Sequence, residues 1–259
     1  MDALAKPLTC FKAYDIRGRL GDELNADIAY RIGRAFAEVM EAKRVVIGRD
    51  VRPSSEELAQ AVAKGLMDAG VEVLDLGLSG TEETYFAVTH LGADGGICVT
   101  ASHNPMDYNG MKMVQAGSAP IGNDSGMAAI KALAESGDFG PEQPGGKMSN
   151  VSDTRAAYVE KLMEFLDISA LRPMKVLVNA SNGAAGPTFD AIAQALQKAG
   201  APLEFVRIHH EPDGSFPNGI PNPLLEENQP KTADPVVEHG ADIGVAWDGD
   251  FDRCFFFAH

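Results

Sequence analysis

Short apolar runs alternate with helix-period segments along almost the whole chain, and this alternation restricts the fold more than any other feature. Arg44-Val45-Val46-Ile47-Gly48, Val71 to Gly77 and Gly96-Ile97-Cys98-Val99 are short and mostly rich in β-branched residues, as buried strands are. From Asn25 to Ala42, Ile28, Ile32, Ala35, Phe36 and Val39 recur at three- and four-residue intervals. An amphipathic helix is expected there, with Asn25 able to cap it. Ser54 followed by Glu57 has the spacing of a capping box and predicts a helix closing at Gly70, and Thr81 to Leu91 predicts another. Elements in this order build a mostly parallel sheet covered on both faces.

The second half repeats the pattern. Helical spacing is expected over 153–166, in the segment after the 182–186 turn as far as Lys198, and over 232–239. Strands are expected at 175–179, 203–208, 241–247 and 254–257, with a long Pro/Gly/Asn loop over 209–223. The densest Gly/Pro cluster, residues 136–146, separates the halves. The expected organisation is therefore two consecutive three-layer α/β domains with mixed, mostly parallel sheets, residues 1–146 and 147–259. Residues 10–18 read as a surface hairpin, and Asn109-Gly110 as a tight turn.

Composition narrows the partners. A formal charge of −15 argues against nucleic acid, whose binding draws on clustered Lys and Arg. No apolar run approaches the ~20 residues of a membrane helix. The N-terminus lacks the basic and apolar regions of a secretory leader. Three scattered cysteines fit neither a disulfide framework nor a metal spacing, so a reducing cytoplasm is expected.

Two stretches carry chemistry. Thr100-Ala101-Ser102-His103-Asn104-Pro105 follows a buried strand. A serine on such a turn is expected to leave the core for the crevice at the strand's carboxyl end. Asp248, Asp250 and Asp252 alternate just past a second strand. Two unit charges ~4 Å apart repel by roughly 4 kcal/mol at an effective dielectric of 20, so three converging carboxylates call for a cation. Hard oxygen ligands select Mg²⁺, or Mn²⁺. An EF-hand is excluded, because its sixth position would be Arg253 and its twelfth His259. A phosphorylated Ser102 could complete the ligand set, with Arg253 and Lys112 opposite its remaining oxygens. His103 reads equally well as a turn hydrogen-bonder or a proton carrier. The turn at 182–186 is neither a P-loop nor a dinucleotide fingerprint, which favours a packing role.

These stretches, together with Tyr14-Asp15-Ile16-Arg17-Gly18, Asn109-Gly110-Met111-Lys112 and Pro212-Asp213-Gly214-Ser215-Phe216-Pro217, resemble the successive signatures of the α-D-phosphohexomutases, bacterial phosphomannomutase/phosphoglucomutase branch. The resemblance implies reversible conversion of hexose 1-phosphate to hexose 6-phosphate through phosphorylated Ser102 and a bound 1,6-bisphosphate. It implies one Mg²⁺ per chain on Ser102, Asp248, Asp250 and Asp252. It also places Tyr14, Arg17, His103, Lys112 and Arg253 around the phosphate, with Lys112 or Arg17 transferring protons. Phe251 stands where the family commonly has glycine. The family has four domains and the resemblance covers the first two. The expectation is thus a fragment with little or no turnover, its substrates being glucose or mannose phosphates, able to associate with the remaining domains or with itself; the alternatives are a catalytically silent two-domain interaction module and slow metal-dependent phosphatase leakage from the phosphoserine.

Overall fold

The structure is a computed structural model that describes residues 7–258; residues 1–6, on which the leader reading rests, and His259 lie outside the described residues. The chain divides into two compact units between Ser152 and Asp153.

The first unit runs β1 (Asp15–Arg19), α1 (Ala26–Val39), β2 (Arg44–Arg49), α2 (Pro53–Asp68), β3 (Glu72–Leu78), α3 (Thr81–His90), β4 (Gly95–Val99), β5 (Tyr108–Gln115), α4 (Met127–Ser136) and β6 (Lys147–Asn150). The sheet order is β1-β5-β4-β2-β3-β6. Strands β4, β2, β3 and β6 are parallel, while β5 runs antiparallel to both β4 and β1. One face packs Ile16, Val45, Ile47, Val73, Ile97, Val99 and Met111 against α1, α2 and α4. The other packs Val46, Leu74, Leu76 and Val114 against Ala87 and Val88 of α3. The layers are helix, sheet, helix.

Four sequence expectations are corrected here. Residues 10–18 are not a surface hairpin: Asp15–Arg19 is an edge strand of the main sheet, and Cys10 and Ile16 are fully buried. Asn109-Gly110 is not a turn, since both residues lie inside β5 opposite Gly18 and Arg17. A Cβ at Gly110 would sit 2.1 Å from the Ile16 carbonyl oxygen, so the glycine admits a close strand. Helix α2 opens at Pro53 with Arg52 as its N-cap, and Ser54 caps nothing. Proline's fixed φ suits the first helical position, which displaces the expected start by two residues, from a cap at Ser54 to one at Arg52. Finally, the Gly/Pro cluster is followed by β6, which joins the first sheet beside β3. Asn25 does cap α1, accepting from the Ile28 N–H at 3.0 Å.

The second unit runs α5 (Thr154–Met163), β7 (Met174–Asn179), α6 (Ala185–Lys198), β8 (Leu203–Ile208), α7 (Pro230–Glu238), β9 (Ile243–Trp247) and β10 (Cys254–Phe257). Its sheet order is β10-β9-β7-β8, parallel except for the β9–β10 pair. Phe189 and Ala193 of α6 meet Val178, Phe205, Val245 and Trp247 on one face. Val236 of α7 meets Leu177 and Ala241 on the other. No helix among the described residues is long and apolar enough to cross a membrane.

Candidate active site

Each unit delivers one loop of chemistry-bearing side chains from the carboxyl end of a strand. In the first, β4 ends at Val99 and the chain turns through residues 100–107 before returning as β5. Ser102 takes φ 52°, a left-handed conformation that side chains other than glycine rarely adopt. It is not held out of the core as the turn alone suggests: only 2% of it is exposed. Its Oγ lies 3.0 Å from His103 Nδ1.

Arg17 comes from β1. Its Nη1 donates to the Ala101 carbonyl at 3.0 Å and to Asn104 Oδ1, and its Nη2 reaches Asp15 Oδ2 at 2.8 Å. The guanidinium therefore clasps residues on both sides of Ser102. Lys112 lies on β5 in register with Asp15 of β1 and Cys98 of β4. Because directly opposed residues share a sheet face, Asp15, Arg17 and Lys112 lie on one side and Ile16 and Met111 on the other. Tyr14, immediately before β1, is 76% exposed.

Beneath the serine loop is a scaffold that the sequence reading missed. Arg52 is buried, and its Nη1 and Nη2 both donate to carbonyl oxygens of the loop. Asp50 accepts from Ser55 Oγ at 2.5 Å, Thr100 Oγ1 at 2.7 Å and the Arg52 N–H at 3.0 Å. Burial pushes the Asp50 carboxyl above its usual range, against the pull of Arg52 and these donors. One sequence signal was available. Two arginines and an aspartate leave the carboxyl end of β2, the edge of an α/β sheet where sites form.

In the second unit, β9 ends at Trp247 and the acidic loop follows. Asp248, Asp250 and Asp252 each present a carboxylate oxygen within 4.8 Å of the others, the first two buried and the third exposed. Arg253 reaches back to Asp248, with Nη2 at 2.6 Å and Nε at 3.0 Å from Oδ2, and its Nε is 3.6 Å from Asp252 Oδ1. Phe251 takes φ 46°, which explains why a glycine would be at home there. The 182–186 turn braces this loop: a Cβ at Gly183 would sit 2.8 Å from the Gly249 carbonyl oxygen, and the Ala184 N–H donates to that oxygen at 3.0 Å. Oxygen-only donors clustered at this spacing suit a hard divalent cation.

Comparison with known proteins agrees with this division. Residues 9–141 match the family model for phosphoglucomutase/phosphomannomutase, alpha/beta/alpha domain I, and residues 156–259 match that for domain II. The chain is 60% identical over 252 residues to a phosphomannomutase of Salmonella typhimurium strain LT2, covering 96% of this chain and 55% of that protein. It is 57% identical over 254 residues to a phosphomannomutase of Escherichia coli strain K12, covering 97% and 56%. The chain thus spans about half the length of the curated relatives it matches. A phosphoglucomutase/phosphomannomutase family protein from Burkholderia thailandensis superposes with a TM-score of 0.85 at 37% identity, over 96% of this chain and 54% of that one. Matching the models for domain I and domain II in order, the chain belongs to the phosphoglucomutase/phosphomannomutase family.

Proposed function

We propose that the chain carries the phosphoryl-transfer half of a phosphohexomutase acting on glucose or mannose phosphates. In this reading Ser102 Oγ attacks a hexose-bound phosphorus, an O–P bond to serine forms, and the bond to the sugar oxygen breaks. His103 Nδ1, at 3.0 Å, is the acceptor of the serine proton. Lys112 serves the sugar oxygen better than Arg17. A guanidinium stays protonated far above neutrality and gives up a proton less readily than an ammonium does. Tyr14 and Arg253 complete the phosphate's surroundings. Asp248, Asp250 and Asp252 would hold Mg²⁺ together with the phosphorylated Ser102. When bound, that ion neutralises charge developing on the transferring phosphoryl group.

The observation that supports this most is Ser102 itself, a buried serine in a left-handed conformation with a histidine nitrogen in reach. Strain of this kind persists where the surroundings hold it for a purpose. The test is intact mass after incubation with Mg²⁺ and a hexose 1,6-bisphosphate. One phosphoryl group is expected on the chain and none on Ser102→Ala. A wild-type chain that gains no mass overturns the reading.

A further inference from the structure

The serine loop takes its shape from a residue outside the reacting set. Each terminal nitrogen of a guanidinium carries two N–H groups, and Arg52 directs both nitrogens at the loop. Nη1 donates to the Pro105 carbonyl at 2.8 Å and to that of Tyr108 at 3.1 Å. Nη2 donates to the Ser102 carbonyl at 3.0 Å and to that of Asn104 at 2.6 Å. One planar fork thus gathers three carbonyl groups of the loop and that of Tyr108, the first residue of β5.

Both peptide groups flanking the Ser102 Cα lead back to one carboxylate. The Ser102 N–H donates to Thr100 Oγ1 at 2.8 Å, and that hydroxyl donates to Asp50 Oδ2. The Ser102 carbonyl is held by Arg52, whose Nε lies 3.4 Å from the same oxygen. A left-handed conformation is unfavourable for a residue with a side chain, and this two-sided grip supplies the restraint. We propose that Arg52, oriented by Asp50, is a positioning residue for the reaction at Ser102: it fixes the backbone of residues 102–108 so that the serine oxygen is aimed before substrate arrives. This rests on Ser102 as phosphoryl acceptor. The Asp50–Arg52 pair is neutral as a unit, so Arg52 acts through its fork geometry. A lysine, with one nitrogen on a flexible stem, cannot reach the same oxygens.

Two variants of the whole chain, Arg52→Lys and Arg52→Gln, test this by two readouts. The first is the rate of Ser102 phosphorylation from a hexose 1,6-bisphosphate, followed by intact mass across donor concentrations. Arg52→Lys should lower the maximal rate by about 100-fold, the penalty for a misplaced reacting group, and change the half-saturating concentration little. The second is amide hydrogen exchange, which should quicken in residues 101–108 and not in α1. Should Arg52→Gln fail to fold, Arg52→Lys keeps the charge and carries the test. Phosphorylation of Arg52→Lys at the wild-type rate overturns the proposal. If the wild-type chain takes up no phosphoryl group, the assignment of Ser102 falls and exchange alone decides: faster loop exchange in Arg52→Lys supports the role of Arg52, and unchanged exchange overturns it.

Discussion

The two site loops share a design and differ in where their countercharge lies. Each leaves the carboxyl end of a strand, and each holds one non-glycine residue in the left-handed region, Ser102 at φ 52° and Phe251 at φ 46°. The serine loop closes over a buried arginine that has its own carboxylate, so its charges cancel within the unit. The acidic loop gathers three carboxylates and answers them with Arg253, whose side chain is partly exposed. The first loop is pinned by a buried countercharge; the second gathers like charges around an arginine of its own.

This contrast predicts opposite signs for the same chemical change. Asp50→Asn strands the Arg52 charge in the interior and should destabilise the first unit by about 3 kcal/mol, read by urea unfolding. Asp250→Asn should do the reverse in a metal-free chain. It removes one of three mutually repelling groups, and a stabilisation of roughly 1 kcal/mol, a fraction of the ~4 kcal/mol repulsion of a close pair, is expected. The same change should weaken Mg²⁺ binding, measured by calorimetry, by at least the roughly 10–100-fold that even outer-shell changes cause. Equal signs for the two variants would break the comparison.

The smallest expected effect concerns an ordinary surface pair in the second unit. Burial raises the Asp190 carboxyl pKa, but His210 at 3.0 Å and Arg207 at 2.9 Å outweigh it and hold the group below the usual carboxylate range. A folded pKa below the unfolded value of about 3.9 means that the stabilisation is present above that pH and lost on acidification through the folded value. Asp190→Asn should therefore flatten the acid limb of the stability curve, by no more than about 1 kcal/mol for so exposed a pair. A flattening centred near neutrality would show that another group is responsible.

Buried strands and amphipathic helices were legible because their periodicity is local. The α1 stripe and the Asn25 cap can be read from consecutive residues, as can the run Gly96 to Val99. The edge strands were not legible. Asp15–Arg19 and Lys147–Asn150 are polar and short, and only their distant partners make them strands. Asn109-Gly110 misled for the same reason, since its glycine answers to the Ile16 backbone and not to a turn. At the site, Ser102 and the alternating aspartates declared themselves by spacing. Arg52 did not, because nothing near it in sequence reveals that its four acceptors lie in the β4–β5 loop and at the first residue of β5.

The pairing of β1 with β5 has a consequence for how the protein comes into being. The ribosome releases Asp15 early and Lys112 much later, yet the two face each other across one edge of the finished sheet. Until β5 has emerged, β1 has no strand to pair with, and a nascent chain carries an N-terminal segment waiting for its neighbour. Non-local pairings of this kind fold slowly and leave an open edge meanwhile. The serine loop is therefore assembled across the longest strand-to-strand separation in its half of the molecule.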